Sequence, residues 1–138
     1  MNFLQVLDWI FVVFHTLLIL FNVFGWIWRK TRMWNLIALL LTGGSWVILG
    51  IFYGFGYCPL TDWHFEVLRK LGVYDLPGSY IKYLIDRVFQ TDVNSEMVDM
   101  LTLVAYLVLL IISIIANLIT FKINPLVLLR EYLIRLRG

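Results

Sequence analysis

Charged residues are scarce in this chain. They make up 14% of its 138 residues, while hydrophobic residues make up 62%; in an average soluble protein about a quarter of the residues are charged. A soluble domain of this size could not bury so much apolar surface, so the composition predicts a membrane protein with a single domain over 1–138. The net charge of +2 and the lack of a long basic run argue against binding to nucleic acid.

Cysteine and histidine are also rare, with one Cys and two His in the whole chain. A single cysteine excludes an internal disulfide, and the sequence contains no CxxC, HExxH or CxxCH motif. No catalytic constellation is visible. The question of catalysis is left open, with the balance against an enzyme, and the sequence identifies no cofactor.

Long apolar runs dominate what is present. Three of them, at about 6–28, 33–57 and 97–121, are long enough to cross roughly 30 Å of hydrocarbon as helices. The N-terminal tip has no Lys or Arg, which argues against a signal peptide. The fold class predicted is therefore all-α, a membrane helix bundle with three transmembrane helices.

The segment 58–96, between the second and third runs, is predicted to form two short amphipathic helices. The first begins at Trp63 after a cap by Thr61 or Asp62, and it ends at Gly72. These helices are too short and too charged to span, so they should lie on the membrane surface or fold back over the bundle as a cap.

Further capping signals bound the second amphipathic helix and the third span. Ser79 is placed to cap the former, and Asn94 or Ser95 the latter. Asn124 and Pro125 then predict the start of a C-terminal interfacial helix over 125–137.

Basic residues predict the orientation. Lys and Arg concentrate in the turn after the first span and in the tail after Phe121, whereas 58–96 is net acidic. The positive-inside rule therefore predicts that the N-terminus and 58–96 face outward and that the C-terminus is cytoplasmic.

Polar side chains recur along single faces of the apolar runs. Asp8, His15 and Asn22 are spaced by seven on the first helix. Thr42 and Ser45 can point the same way from the second. On the third helix one face carries Asp99, Thr102, Tyr106, Ser113, Asn117 and Thr120. Such stripes predict either a bundle held by interhelical hydrogen bonds or a lined cavity that opens outward.

Three residues are candidates for binding a cofactor. His15 lies within the first span, and Cys58 and His64 could approach it from the outer segment as ligands of a haem or metal. The structural alternative is a hydrogen-bonded His15 and a packed Cys58, and this alternative is favoured. Asp62, His64 and Glu66 do not form a preformed acid–base site, because residues two apart on a helix do not share a face.

Small residues suggest a packing surface on the second helix. Gly50 and Gly54 have the small-xxx-small spacing that lets helices approach closely. Packing within this protein is favoured over self-association. The expected partners are the lipid bilayer and other membrane subunits.

The segments CPLTDWHFEVLRKLG and LPGSYIKYLIDRVF, with FHTLLILFNVFG on the first helix, resemble the bacterial membrane proteins grouped as domain of unknown function 2784. The resemblance runs from about Phe14 to Asn117 and is most specific at 58–61, while His15 matches the family's first-helix His. Asp62-Trp63-His64 resembles the Bacteroidetes form. Many members have a Glu-His pair where this chain has Ile81-Lys82. The resemblance implies the architecture and a bacterial inner membrane location, but no activity.

Three hypotheses for function follow. The first is a non-catalytic accessory subunit or binding module. The second is a protein that binds a metal, haem or quinone through His15 and the segment 58–64. The third, transport of a small solute along the polar stripes, is least favoured because the sequence shows neither an internal repeat nor a pair of broken helices.

Overall fold

Helices account for nearly all the ordered elements of the computed structural model. It describes the backbone of residues 2–137, and the side chains of that range outside 123–129, 131–132 and 135–137. Three helical stretches are long and apolar enough to cross a membrane: Phe3–Phe24, Arg32–Tyr53 and Ser95–Lys122. Within the described residues there is no strand. The prediction of an all-α fold with three candidate spans is confirmed.

The first span is helix α1 (Phe3–Phe24), which starts and ends earlier than the predicted range 6–28. It starts early because Asn2 and Gln5 form a reciprocal capping box. It ends early because the side chains of Asn35 and Trp26 donate to the last carbonyl groups of the helix, those of Phe21, Asn22 and Val23.

The second span is interrupted. Helix α2 (Arg32–Gly44) passes into a five-residue π-helical segment, Ser45–Leu49, and then into the short helix α3 (Gly50–Tyr53). The helix stops at Gly54, whose φ of 102° is open mainly to glycine, and not at residue 57 as predicted. Nothing in the residue pattern predicts the π-helical segment.

Two helices form the cap, α4 (Pro59–Lys70) and α5 (Tyr80–Phe89). Helix α4 begins earlier than the predicted Trp63, since Pro59 occupies the first helical position and Cys58, not Thr61 or Asp62, is the N-cap. Its predicted end is confirmed: Gly72, at φ 90°, and Val73 donate to the last carbonyl groups of the helix. Ser79 caps α5 as predicted, its hydroxyl accepting from the backbone of Lys82.

The cap folds back along the bundle. Helix α4 packs on α1, and α5 packs on α6 (Ser95–Arg137), while α2 packs on both α1 and α6. The buried cluster of Phe65, Leu68, Tyr80 and Tyr83 packs against Ile19, well down α1. The cap is therefore inserted between α1 and α6, and the main buried apolar cluster is in the cap.

Asn94 caps α6, as one of the two predicted alternatives, by accepting from the backbone of Met97. The C-terminal segment 125–137 is helical as predicted, but it does not start as a separate helix at Asn124. One helix of 43 residues runs from Ser95 to Arg137. Because proline is tolerated mainly in the first turn of a helix, the sequence indicated a break at Pro125 that the backbone does not make.

Candidate functional site

A cavity of about 760 Å³ lies between the three spans and the cap. This volume is in the range of sites for small organic molecules. Its wall is mainly apolar and aromatic, and includes Leu18, Trp46, Phe55, Phe65, Tyr80 and Leu109. The cap and all three spans contribute polar groups to the wall, and those of the spans include His15, Asn22, Thr42, Ser45, Thr102 and Tyr106.

The π-helical segment shapes one side of the cavity. Ser45 and Trp46 both line it, and the ring of Trp46 lies 4.9 Å from that of Tyr106. The segment also holds the following loop, because the Ser45 hydroxyl donates to the Tyr57 carbonyl oxygen at 2.8 Å and Gly56 N–H donates to the Trp46 carbonyl oxygen at 3.3 Å. π-Helical turns are frequent at functional sites.

His15 lies on the wall with only 7% of its surface exposed. Its ring stacks on Tyr80 of the cap, with centroids 3.7 Å apart and planes 9° apart. Its Nδ1 atom is buried without a hydrogen-bond partner among the described residues. The structural alternative, a hydrogen bond to a neighbouring Asn, Thr or Tyr, is therefore not what holds this side chain: stacking is.

Asn22 also carries a buried atom without a partner in the described part of the chain, its Oδ1. Its Nδ2 donates to the Thr42 hydroxyl at 3.2 Å, and that hydroxyl donates to the Ala38 carbonyl oxygen at 2.9 Å. Since a buried polar atom without a partner costs free energy, a partner from the adjacent cavity would stabilise this arrangement.

Asp8 and His64 form a second polar centre behind the cavity wall. His64 is fully buried, and its Nε2–H donates to Asp8 Oδ1 at 2.8 Å. Arg87 donates to both carboxylate oxygens of Asp8, at 2.8 and 3.0 Å, and also to the Tyr83 hydroxyl. This network joins α1 to both helices of the cap.

Burial lowers the pKa of His64 below its ordinary value of 6.5, and the Asp8 carboxylate offsets only part of this. His64 is thus a neutral donor to Asp8, with its Nδ1 left as a buried acceptor that has no partner in the described residues. Hydrogen bonding to Asp8 raises the pKa of the Arg87 guanidinium.

The residues proposed as cofactor ligands do not all meet. His15 and Cys58 both line the cavity, whereas His64 does not and is bound to Asp8. Within the described residues no group of three or more His, Cys, Asp or Glu side chains is arranged to hold a metal ion. Binding of a haem, quinone or metal stays a prediction.

The side chains of Asp62, His64 and Glu66 point in different directions and bind different partners, as their spacing predicted. Asp62 accepts from the Tyr57 hydroxyl at 3.2 Å at the rim of the cavity, and Glu66 accepts from Arg69 at 3.1 Å on the surface. Thr61 lies with Asp62 on the cavity wall. The predicted polar face of the third helix also divides, because Asp99 is exposed and lies off the cavity wall.

The polar stripes form hydrogen bonds at the other end of the bundle, near the first turn. Asn35 is fully buried; it donates to the carbonyl oxygens of Phe21 and Asn22 and accepts from the Ser113 hydroxyl at 2.8 Å. Asn117 donates to the Arg32 carbonyl oxygen at 3.0 Å. The guanidinium of Arg32 donates to the Thr120 hydroxyl at 2.8 Å. We refer to Arg32, Asn35, Ser113, Asn117 and Thr120 as the polar clasp.

Both predictions for the stripes thus apply, each to a different part of the molecule. The clasp is a set of interhelical hydrogen bonds, and the part of the stripes nearer the cap lines a cavity.

The sequence analysis did not identify Asn35, Tyr80 and Arg87 as functional candidates. Asn35 carried a usable signal, being an amide within an apolar run, whereas the partners of Tyr80 and Arg87 are distant in sequence.

Gly50 packs within its own chain. A Cβ atom there would lie 3.1 Å from the Cα of Phe55, so the lack of a side chain at Gly50 allows the loop after α3 to pack closely against the helix. Gly54 has a positive φ of 102°, which favours glycine, and a Cβ atom added there would have no other atom within 4 Å. Self-association through this pair stays a prediction.

Comparison with known proteins yields a family and no function. No curated protein matches the chain, and no solved structure matches it. A family model matches residues 5–118, and this range contains most of each candidate span, the whole cap and every polar residue of the cavity wall. The chain therefore belongs to the family described as Protein of Unknown function (DUF2784).

Proposed function

We propose that this protein is a non-catalytic membrane binding module that holds an amphipathic small molecule in the cavity between its spans and its cap. One observation supports this above the others: an aromatic cavity of about 760 Å³ lies beside three buried polar atoms, on His15, Asn22 and Tyr80, that have no partner in the described residues. Apolar walls with a few placed polar groups are the usual composition of such a site.

The proposed location is a bacterial inner membrane, with the N-terminus and the cap outward and the C-terminus cytoplasmic. The distribution of Lys and Arg supports this orientation. In it, the cavity lies toward the outer side and the polar clasp toward the cytoplasm. An accessory role beside other membrane subunits is compatible with the same site, which would then present its ligand to a partner.

The test uses a variant that fills the cavity. Ala105 lies on the cavity wall of α6, whereas Val108, on the same helix and also exposed, lies off that wall. We expect wild type and Val108→Phe, extracted gently and measured by native mass spectrometry, to carry a bound amphiphile that Ala105→Phe lacks. Equal bound mass on all three proteins would show that the cavity is not the binding site.

Cofactor binding is the second candidate, because His15 and Cys58 lie on the wall of one cavity. The same spectra decide between the two. Excess mass equal to a haem or metal, lost together with visible absorbance in His15→Phe, would favour the cofactor. A lipid-like mass without absorbance favours the binding module.

A further inference from the structure

The hydrogen bonds of the cavity wall restrict what its ligand can be. We infer that the ligand is a neutral amphiphile with a hydroxyl group, inserted hydroxyl first toward Asn22, and not one whose polar group is an ether, a ketone or a phosphate. This inference rests on the proposed function, because it specifies the occupant of the same cavity.

The orientation of the Asn22 amide carries the first step. The hydrogen-bond partners of an amide side chain determine which way its oxygen and nitrogen atoms point. Here the Thr42 hydroxyl gives its single proton to the Ala38 carbonyl oxygen, so toward Asn22 it can only accept. Nδ2 of Asn22 must therefore face Thr42, and Oδ1 is the atom left without a partner.

An amide oxygen accepts hydrogen bonds and donates none. The group that satisfies Asn22 Oδ1 must therefore bring a proton. Because this atom is buried, we expect the side chain to turn slightly toward the cavity when the ligand binds.

Three hydroxyl groups that the spans place on the wall strengthen this requirement. Ser45 donates to the Tyr57 carbonyl oxygen at 2.8 Å, Thr102 donates to that of Val98 at 2.7 Å, and Tyr106 donates to that of Leu39 at 2.9 Å. Their protons are committed to the backbone, so toward the cavity they present lone pairs. The wall also offers donors: ring nitrogens of His15 and Trp46, and the Tyr80 hydroxyl, which is buried without a partner in the described residues. A ligand hydroxyl matches both kinds of group, because its oxygen also accepts.

Charge excludes the ionic alternatives. The charged residues on the wall are Asp62 and Arg69, both in α4 of the cap, where Arg69 already binds Glu66 and Asp62 binds Tyr57. The part of the wall formed by the spans carries no Lys, Arg, Asp or Glu among its lining residues. A phosphate or ammonium group placed there would be buried without a counter-charge, which is strongly unfavourable.

The test compares three probes with one hydrocarbon tail: geranylgeraniol, its methyl ether and its monophosphate. Each competes with tritiated geranylgeraniol for the full chain in phosphatidylcholine nanodiscs. We expect the alcohol to compete at least about fivefold better than the ether, because a single satisfied hydrogen bond is worth about that factor. The monophosphate should compete more weakly still.

Two variants at the inner end of the cavity refine the test. Asn22→Leu removes the acceptor, and Thr42→Val removes the partner that fixes the amide, so in both the ratio of alcohol to ether affinity should fall toward one. Thr42→Val serves if Asn22→Leu fails to fold. An unchanged ratio in a folded variant would contradict the role assigned to Asn22.

The outcomes separate the two proposals. If the ether or the monophosphate competes as well as the alcohol, and Ala105→Phe still abolishes binding, the inferred ligand class is wrong and the binding module stands. If none of the three probes shows saturable binding to wild type, or if Ala105→Phe binds all three as wild type does, the proposed function itself is overturned.

Discussion

At Gly43 the backbone of α2 lies against the ring of Tyr106 on α6. A Cβ atom at this position would collide with the Tyr106 hydroxyl, which donates to the Leu39 carbonyl oxygen. We expect Gly43→Ala to separate the two spans and to reduce the free energy of unfolding by about 1–3 kcal/mol, as is typical of overpacking. Thermal unfolding in detergent micelles measures this.

The neighbouring glycine is a matched control. At Gly44 an added Cβ atom would meet only the Cδ1 atom of Ile48, at an ordinary 3.9 Å. Gly44→Ala should therefore be neutral, or stabilising by about 0.5–1 kcal/mol, because alanine favours the helix. Similar midpoints for the two variants would contradict the close approach described at Gly43.

His64 makes the stability of the cap depend on pH. Because burial holds its pKa below 6.5, the unfolded chain takes up a proton at this residue at a higher pH than the folded chain does. The stabilisation is complete above pH 6.5 and is lost as the pH falls from there through the folded pKa. Each unit of difference corresponds to about 1.4 kcal/mol.

The measurement is the thermal midpoint between about pH 8 and about pH 5, in wild type and in His64→Gln. Glutamine keeps an N–H group for Asp8 but does not titrate, so the loss below pH 6.5 should become smaller. His15, the other histidine, is unchanged in both proteins. Equal losses in the two proteins would rule out His64 as the source.

At the scale of elements, Arg87 holds α5 against α1. Its side chain is 30% exposed and that of Asp8 is 12% exposed, so the ion pair is largely shielded from water. We expect Arg87→Ala to destabilise the protein by about 2–3 kcal/mol, somewhat less than for a fully buried pair. Hydrogen exchange measures the loosening: relative to wild type, the amides of α5 should exchange faster in Arg87→Ala, with the amides of α2 as the reference.

Arg69→Ala is the corresponding change in the other cap helix. Arg69 pairs with Glu66, and the two side chains are 45% and 54% exposed. Such a surface pair contributes less than about 1 kcal/mol, so this variant should behave nearly as wild type. Faster exchange in α5 in both variants would mean that loss of a positive charge, and not of the Asp8 contact, loosens the cap.

The elements that the sequence predicted are those whose signals are local. Ser79 and Asn94 were recognised as caps because a cap is defined within three residues of the chain. The heptad spacing of Asp8, His15 and Asn22 correctly selected three residues that face the cap or the cavity. It did so because residues seven apart on a helix lie on nearly the same face.

What the sequence could not predict depends on contacts between distant residues. The π-helical segment Ser45–Leu49 is stabilised by a loop that returns to it, and no periodicity marks it in advance. Arg87 and Asp8 are 79 positions apart, and the stacking of His15 on Tyr80 depends on how the cap folds back. Burial of His64 likewise follows from the packing of α4 on α1.

For the whole molecule, orientation is the main prediction that can be tested directly. Lys30 and Asp75 are both exposed, one in the first turn and one in the cap. With Cys58→Ser as background, we expect Asp75→Cys to react with an impermeant maleimide on intact cells, and Lys30→Cys to react only after lysis. The reverse pattern would invert the topology.

The polar clasp has a consequence for how a ligand of the proposed kind would exchange. Asn35, Ser113 and Asn117 are bound to one another and to the backbone, so hydrogen bonds tie the spans together at that end of the bundle. In the function proposed above, a ligand would enter and leave on the side of the cap, away from the clasp. Under that proposal the residence time of the ligand would depend on the opening rate of the cap, and thus on the contacts of the cap helices.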